Sequence, residues 1–111
     1  MRGYRKYNNV KVRIDGHTFD SKKEGAYWLH LRELERVGEI SNLELQKWFE
    51  IVPKINGNRR ARYYVADFVF VENGKKIIVD VKSPITRINP VYSLKKALIL
   101  ANYPEYEFRE V

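Results

Sequence analysis

Three charged side chains set in two apolar runs offer the most chemistry in this chain. Asp67 lies inside Tyr-Tyr-Val-Ala-Asp-Phe-Val-Phe-Val (63–71), and Asp80 and Lys82 close Ile-Ile-Val-Asp-Val-Lys (77–82). Asn73-Gly74 separates the runs, and that dipeptide suits a two-residue type I′ turn because both central residues need positive φ. A hairpin closed this way sets Asp67 directly opposite Asp80. Lys82 falls on the same face, since strand side chains repeat every second residue. The neighbours are apolar on both faces, as in central rather than edge strands.

Two carboxylates opposed on such strands repel one another and lose solvation, so something must compensate them. A salt bridge from Lys82 to either aspartate is the plain solution. A divalent cation is the other, and Mg²⁺ typically takes one or two carboxylates while keeping several waters. Such an ion suits phosphodiester hydrolysis, because it generates hydroxide near neutral pH and offsets charge at phosphorus. The chain has no cysteine, which excludes disulfides, a thiol nucleophile and a thiolate metal site. His17 and His30 show no useful ligand spacing.

The elements that must position these residues are legible in outline. Val10, Val12 and Ile14, then Asp15-Gly16, then His17 and Phe19 predict a short hairpin. Ser21-Lys22-Lys23-Glu24 fits a capping box, followed by an apolar stripe of Tyr27, Trp28, Leu31, Leu34 and Val37, with Gly38 placed to end the helix. Residues 43–52 read as a strand, with 53–57 as its exit turn. After the Asp67–Asp80 hairpin, 83–88 read as a loop. Asn89-Pro90 then opens a second helix whose buried face is expected to be Leu94, Ala97, Leu98 and Ala101, leaving Tyr92, Lys95 and Lys96 more exposed. Tyr103-Pro104 stops it before a closing strand through Tyr106, Phe108 and Val111. Trp28 and Trp48 read as core or interface anchors rather than base-stacking platforms. The result is α/β: a mixed central sheet with helices on its faces. At 111 residues this is a single domain, 1–111, with a basic arm or strand over 1–14 and a core over 20–111.

A net charge of +7 points to a polyanionic partner, because Lys and Arg that neutralise phosphates release condensed counterions. The placement of the charge is more telling. Arg5 and Lys6 stand in an acid-free arm beside Tyr4 and Tyr7; Arg59, Arg60 and Arg62 lead into the Asp67 strand; Arg87, Lys95 and Lys96 form a third cluster. No apolar run is long enough to cross a membrane, and 1–6 lack the apolar segment of a signal peptide, so the expected location is cytoplasmic.

Glu24 on the first helix, Asp67 in Tyr-Val-Ala-Asp-Phe, and Asp80-Val-Lys resemble the signature of the PD-(D/E)XK nuclease superfamily, over nearly the whole chain. Phe-Asp-Ser-Lys-Lys-Glu (19–24), Gly-Glu-Ile (38–40), Leu45-Gln46 and Tyr-Ser-Leu-Lys-Lys (92–96) resemble a small phage and prophage endonuclease-like family within it. The layout is also similar to that of phage junction-resolving endonucleases. Ala66 stands where the signature often has proline. The resemblance implies a restriction-endonuclease-like core, with Asp67, Asp80, Glu24 and the Val81 carbonyl holding Mg²⁺, for which Mn²⁺ can substitute. It implies that Lys82 orients or helps deprotonate the attacking water.

The expected function is a metal-dependent DNA endonuclease that is selective for branched DNA such as a Holliday junction, acts in phage recombination or processing, and works as a homodimer because two strands need two sites. The competing readings are a catalytically silent nucleic-acid-binding module of the same fold and a sequence-specific nicking or restriction-type enzyme. Glu24 has its own second reading, as the third residue of the Ser21 capping box.

Overall fold

The computed structural model describes residues 10–54, 60–81 and 89–111. Six strands and two helices follow in the order β1 (Val12–Ile14), β2 (His17–Phe19), α1 (Lys22–Arg36), β3 (Ser41–Val52), β4 (Arg62–Glu72), β5 (Lys75–Asp80), α2 (Pro90–Asn102) and β6 (Tyr106–Glu110). Part of the 53–57 turn and all of the 83–88 loop lie outside the described residues, as do Arg5, Lys6, Arg59, Lys82 and Arg87.

Local chemistry sets the boundaries where the sequence indicated. Asp15-Gly16 and Asn73-Gly74 all take positive φ, as tight hairpin turns require. The first hairpin pairs Val12 with Phe19 and Ile14 with His17. Ser21 caps α1, and Gly38 leaves it at φ +85° while the Glu39 N–H donates to the Leu34 carbonyl at 2.9 Å, a Schellman closure. Asn89 caps α2 through a 2.8 Å bond from the Val91 N–H, with Pro90 in the first turn.

The main sheet has the order β3-β4-β5-β6. β3, β4 and β5 form an antiparallel meander, and β6 lies parallel to β5 after the α2 crossover. One core, on the α1 face, unites Trp28 and Leu31 with Phe68, Phe70, Ile77 and Val79. The other joins Ile99 of α2 to Phe49, Ile51, Tyr64, Ala66, Val69 and Ile78. Successive residues of β5 alternate between the two, which identifies them as opposite faces of the sheet.

One expectation needs correction here. The buried face of α2 is Tyr92 and Ile99, while Leu94, Ala97 and Ala101 are exposed and Leu98 is half-buried. Apolar residues surround almost the whole of this helix, so spacing alone could not choose its inner side. Trp28 is a core residue, and Trp48, 65% exposed, packs in neither core, which leaves it the interface alternative.

Candidate functional site

The β4–β5 ladder runs from Glu72↔Lys75 to Phe68↔Val79, the register set by the Asn73-Gly74 turn. Asp67 and Asp80 are the next positions, just past its last pair. There the two strands part, and the Asp67 Oδ2 accepts the Val81 N–H at 2.8 Å, so a side chain takes the place of a ladder bond.

A second irregularity fixes where Asp67 points. In β4, Tyr64 and Ala66 pack on the α2 face, but Phe68 and Phe70 pack on the α1 face. In β3, Leu43 and Leu45 pack toward α1, whereas Phe49 and Ile51 pack toward α2. Period-two alternation cannot produce either pattern, so both strands turn over once. The ladder between them steps from Leu45↔Phe68 to Lys47↔Ala66, omitting Gln46 and Asp67, and Gln46 takes φ +52°. The turnover therefore occurs at Gln46 and Asp67 together. A carboxylate at this joint can reach groups from both sides of the sheet.

It does so. Asp80 and Glu24 are the two carboxyl neighbours that act on Asp67. Burial first, and then these two carboxyl neighbours, push its pKa up to about 9 against the pull of the Val81 N–H, so without a cation the coupled carboxyls retain a proton at neutral pH. Asp80 and Glu24 are both buried, at 2% and 5% exposure. Asp80 is fixed from behind: it pairs with Glu110 across the parallel ladder, and its carbonyl accepts the Val111 N–H at 3.0 Å.

Glu24 carries the helix cap as well. Its N–H donates to Ser21 Oγ at 3.0 Å, and its Oε1 accepts the Asp20 N–H at 2.9 Å, closing a capping arrangement that locks the carboxylate in place. Capping and the contact with Asp67 thus coexist. Glu24→Gln retains the acceptor for Asp20 and removes the negative charge. If the metal-dependent cleavage expected from the sequence is present, the variant should keep its melting temperature and lose about 10- to 100-fold of that activity. A lowered melting temperature with full activity would leave Glu24 a capping residue alone.

Sequence reasoning missed a polar set behind Asp80. The buried Tyr64 hydroxyl lies beside Asp80, and burial followed by that negative charge raises its pKa far above the phenol value. Tyr92 donates to Glu110 Oε2, and Lys96 reaches the same oxygen at 3.5 Å. Glu110 enters through the parallel β5–β6 register, for which the chain carries no local signal.

Among the predicted nucleic-acid contacts, Arg60, Arg62 and Lys95 are exposed. Lys96 departs from expectation: it is half-buried, tied to Glu110, with its Nζ 5.4 Å from the Phe108 ring centre. Tyr92 departs likewise, since it is buried. Among the described residues, no three His, Cys, Asp or Glu side chains form a ready group around one ion. No helix among them is long and apolar enough to cross a membrane.

A family model described as "Protein of unknown function (DUF1064)" matches residues 4–110, and the chain belongs to that family. No curated protein and no solved structure matches it.

Proposed function

We propose that this DUF1064 chain is a divalent-metal-dependent DNA endonuclease built on a restriction-endonuclease-like core. The observation that carries the reading is the contact of Asp67 with Asp80 and Glu24 at the point where β4 and β5 part. Three acidic groups gathered from a helix and two central strands are costly to bury for structure alone. The order of elements supports the same reading: a helix bearing Glu24, an antiparallel meander bearing Asp67 and Asp80, then a helix and a parallel strand.

The donor set fits a hard cation. Asp67, Asp80, Glu24 and the Val81 carbonyl offer only oxygen, and the raised pKa of Asp67 records crowding that a positive ion would relieve. Mg²⁺ commonly takes only one or two carboxylates, so it does not require a three-residue cage. When bound, the ion supplies hydroxide at neutral pH and offsets charge on the phosphate. The chain's own part is positional. Asp67 and Asp80 hold the ion, Glu24 steadies Asp67 or the ion's waters, and Lys82, two residues beyond Asp80, orients the attacking water. The exposed Arg60, Arg62 and Lys95 grip phosphates, which fixes position without reading sequence.

Shape selectivity follows from that limitation. A small chain whose contacts are to phosphate discriminates by the form of DNA, and a homodimer acting in phage recombination or processing spans the arms of a branch. The test is a cleavage panel of duplex, single-stranded, flap and four-way-junction DNA with Mg²⁺ or Mn²⁺. Branched substrates should be cut faster than matched linear duplex, at positions set by the branch. Cleavage confined to one short sequence would identify a restriction-type enzyme. No cleavage of any substrate with either metal would leave a nucleic-acid-binding module.

A further inference from the structure

On the α2 side of the sheet, the Tyr64 hydroxyl is sealed from solvent and makes no hydrogen bond among the described residues. Tyr64 is 5% exposed and shares the second core with Phe49, Ala66, Ile78 and Ile99. Its ring centre lies 6.0 Å from that of Phe108 on β6. Strand β5 runs between β4 and β6, so the two rings meet over β5. Asp80 follows Ile78 by two residues on β5, and Glu110 follows Phe108 by two on β6, so both acids face the same side as these rings. The Tyr64 phenol thus leans across the strand that carries Asp80.

Packing does not account for the hydroxyl. A phenylalanine would fill the same apolar space, and a buried hydroxyl without a partner costs stability. The neighbouring phenol is already engaged: Tyr92 donates to Glu110, and Lys96 balances that acid at 3.5 Å. Of the charged side chains around the Tyr64 hydroxyl, Asp80 acts on it most strongly and Asp67 next. One phenol serves Glu110, and the other is left beside Asp80.

We propose that Tyr64 is a positioning residue for a divalent cation: with an ion on one Asp80 oxygen, the Tyr64 O–H donates to the other and fixes the carboxylate's orientation. The inference rests on the reading of Asp67 and Asp80 as metal ligands and not on the cleavage of DNA. A carboxylate that ligates a metal is itself held by a hydrogen bond, and loss of such an outer partner lowers metal affinity. The metal-free chain carries an unmet donor that the metal-bound chain satisfies.

The test is Tyr64→Phe, which keeps the ring and removes the donor, compared with Tyr103→Phe. Tyr103 donates to the Glu50 carbonyl at 2.9 Å, so its hydroxyl holds main chain only. Free Mn²⁺ is counted by electron paramagnetic resonance as the chain is titrated without DNA, and melting is followed in EDTA and at a fixed Mn²⁺ concentration. Tyr64→Phe should bind Mn²⁺ about 10- to 100-fold more weakly. Its melting temperature in EDTA should match or exceed that of wild type, while the rise that Mn²⁺ gives wild type shrinks. Tyr103→Phe should show the opposite pattern, melting earlier in EDTA and binding Mn²⁺ as wild type does. Unchanged Mn²⁺ affinity in Tyr64→Phe would overturn the proposal. So would a lowered melting temperature in EDTA, which would make the hydroxyl part of the fold. Mn²⁺ binding that depends on Tyr64, in a chain that cuts no DNA, would sink the nuclease reading and leave the positioning role standing. Cleavage with Mn²⁺ affinity indifferent to Tyr64 would do the reverse, and a wild type that binds no Mn²⁺ would remove both.

Discussion

Asp80→Asn should yield a folded protein that no longer cleaves DNA with Mg²⁺ or Mn²⁺. The substitution is nearly isosteric, and it leaves the main-chain contacts of the residue in place: the β5–β6 ladder and the Val111 N–H on the Asp80 carbonyl. What it removes is a buried carboxylate oxygen beside Asp67. Loss of an outer partner of a metal ligand costs roughly 10- to 100-fold, so loss of the ligand itself should exceed about 100-fold. DNA binding measured in Ca²⁺ should survive, because the proposed phosphate contacts, Arg60, Arg62 and Lys95, lie elsewhere. Cleavage by Asp80→Asn at close to the wild-type rate would remove the site assignment altogether.

The second large effect is on stability, and its sign depends on pH. Asp67 has a folded pKa of about 9 against an ordinary 3.8, so between those values the folded chain keeps a proton that the unfolded chain releases. Stability falls with pH wherever the native state binds more protons. The metal-free protein should therefore lose melting temperature steadily from about pH 5 to pH 9. Asp67→Asn should not share this loss. Its amide oxygen can still accept the Val81 N–H, and its NH₂ can donate to Asp80 or Glu24 as the protonated acid does. Melting in EDTA should show the variant ahead of wild type by a margin that widens with pH. The gap should exceed about 5 °C at pH 9, since each kcal/mol moves a domain of this size by roughly 4–8 °C. Parallel curves for the two proteins would mean that Asp67 is ionised in the native state.

Much of this site could be read from residues alone, because its placement depends on short-range chemistry. Asn73-Gly74 fixed the hairpin register, and Ser21 with Glu24 fixed the start of α1. The limits are equally physical. A strand turnover at Gln46 and Asp67 has no local signature, since positive φ is usually left to glycine or asparagine and glutamine gives no warning. The pattern 43, 45, then 49, 51 looks like one uninterrupted face until two separate cores are seen. Likewise the inner side of α2 was decided by Tyr92 reaching Glu110, a partner known only once β6 lies beside β5.

The turnover also divides the β3–β4 ribbon into two arms. The inner arm is clamped by α1, and the outer arm is lashed to α2 by Asn102 Nδ2 on the Ile51 carbonyl and Tyr103 Oη on the Glu50 carbonyl, both at 2.9 Å. Any swing of one arm against the other pivots on Gln46 and Asp67. Atoms on a pivot travel least, so the carboxylates occupy the quietest point of the ribbon. Trp48 and Tyr63, carried out along the outer arm, sweep the widest arc. A joint of this kind would let either arm shift while the carboxylates on the pivot keep their geometry.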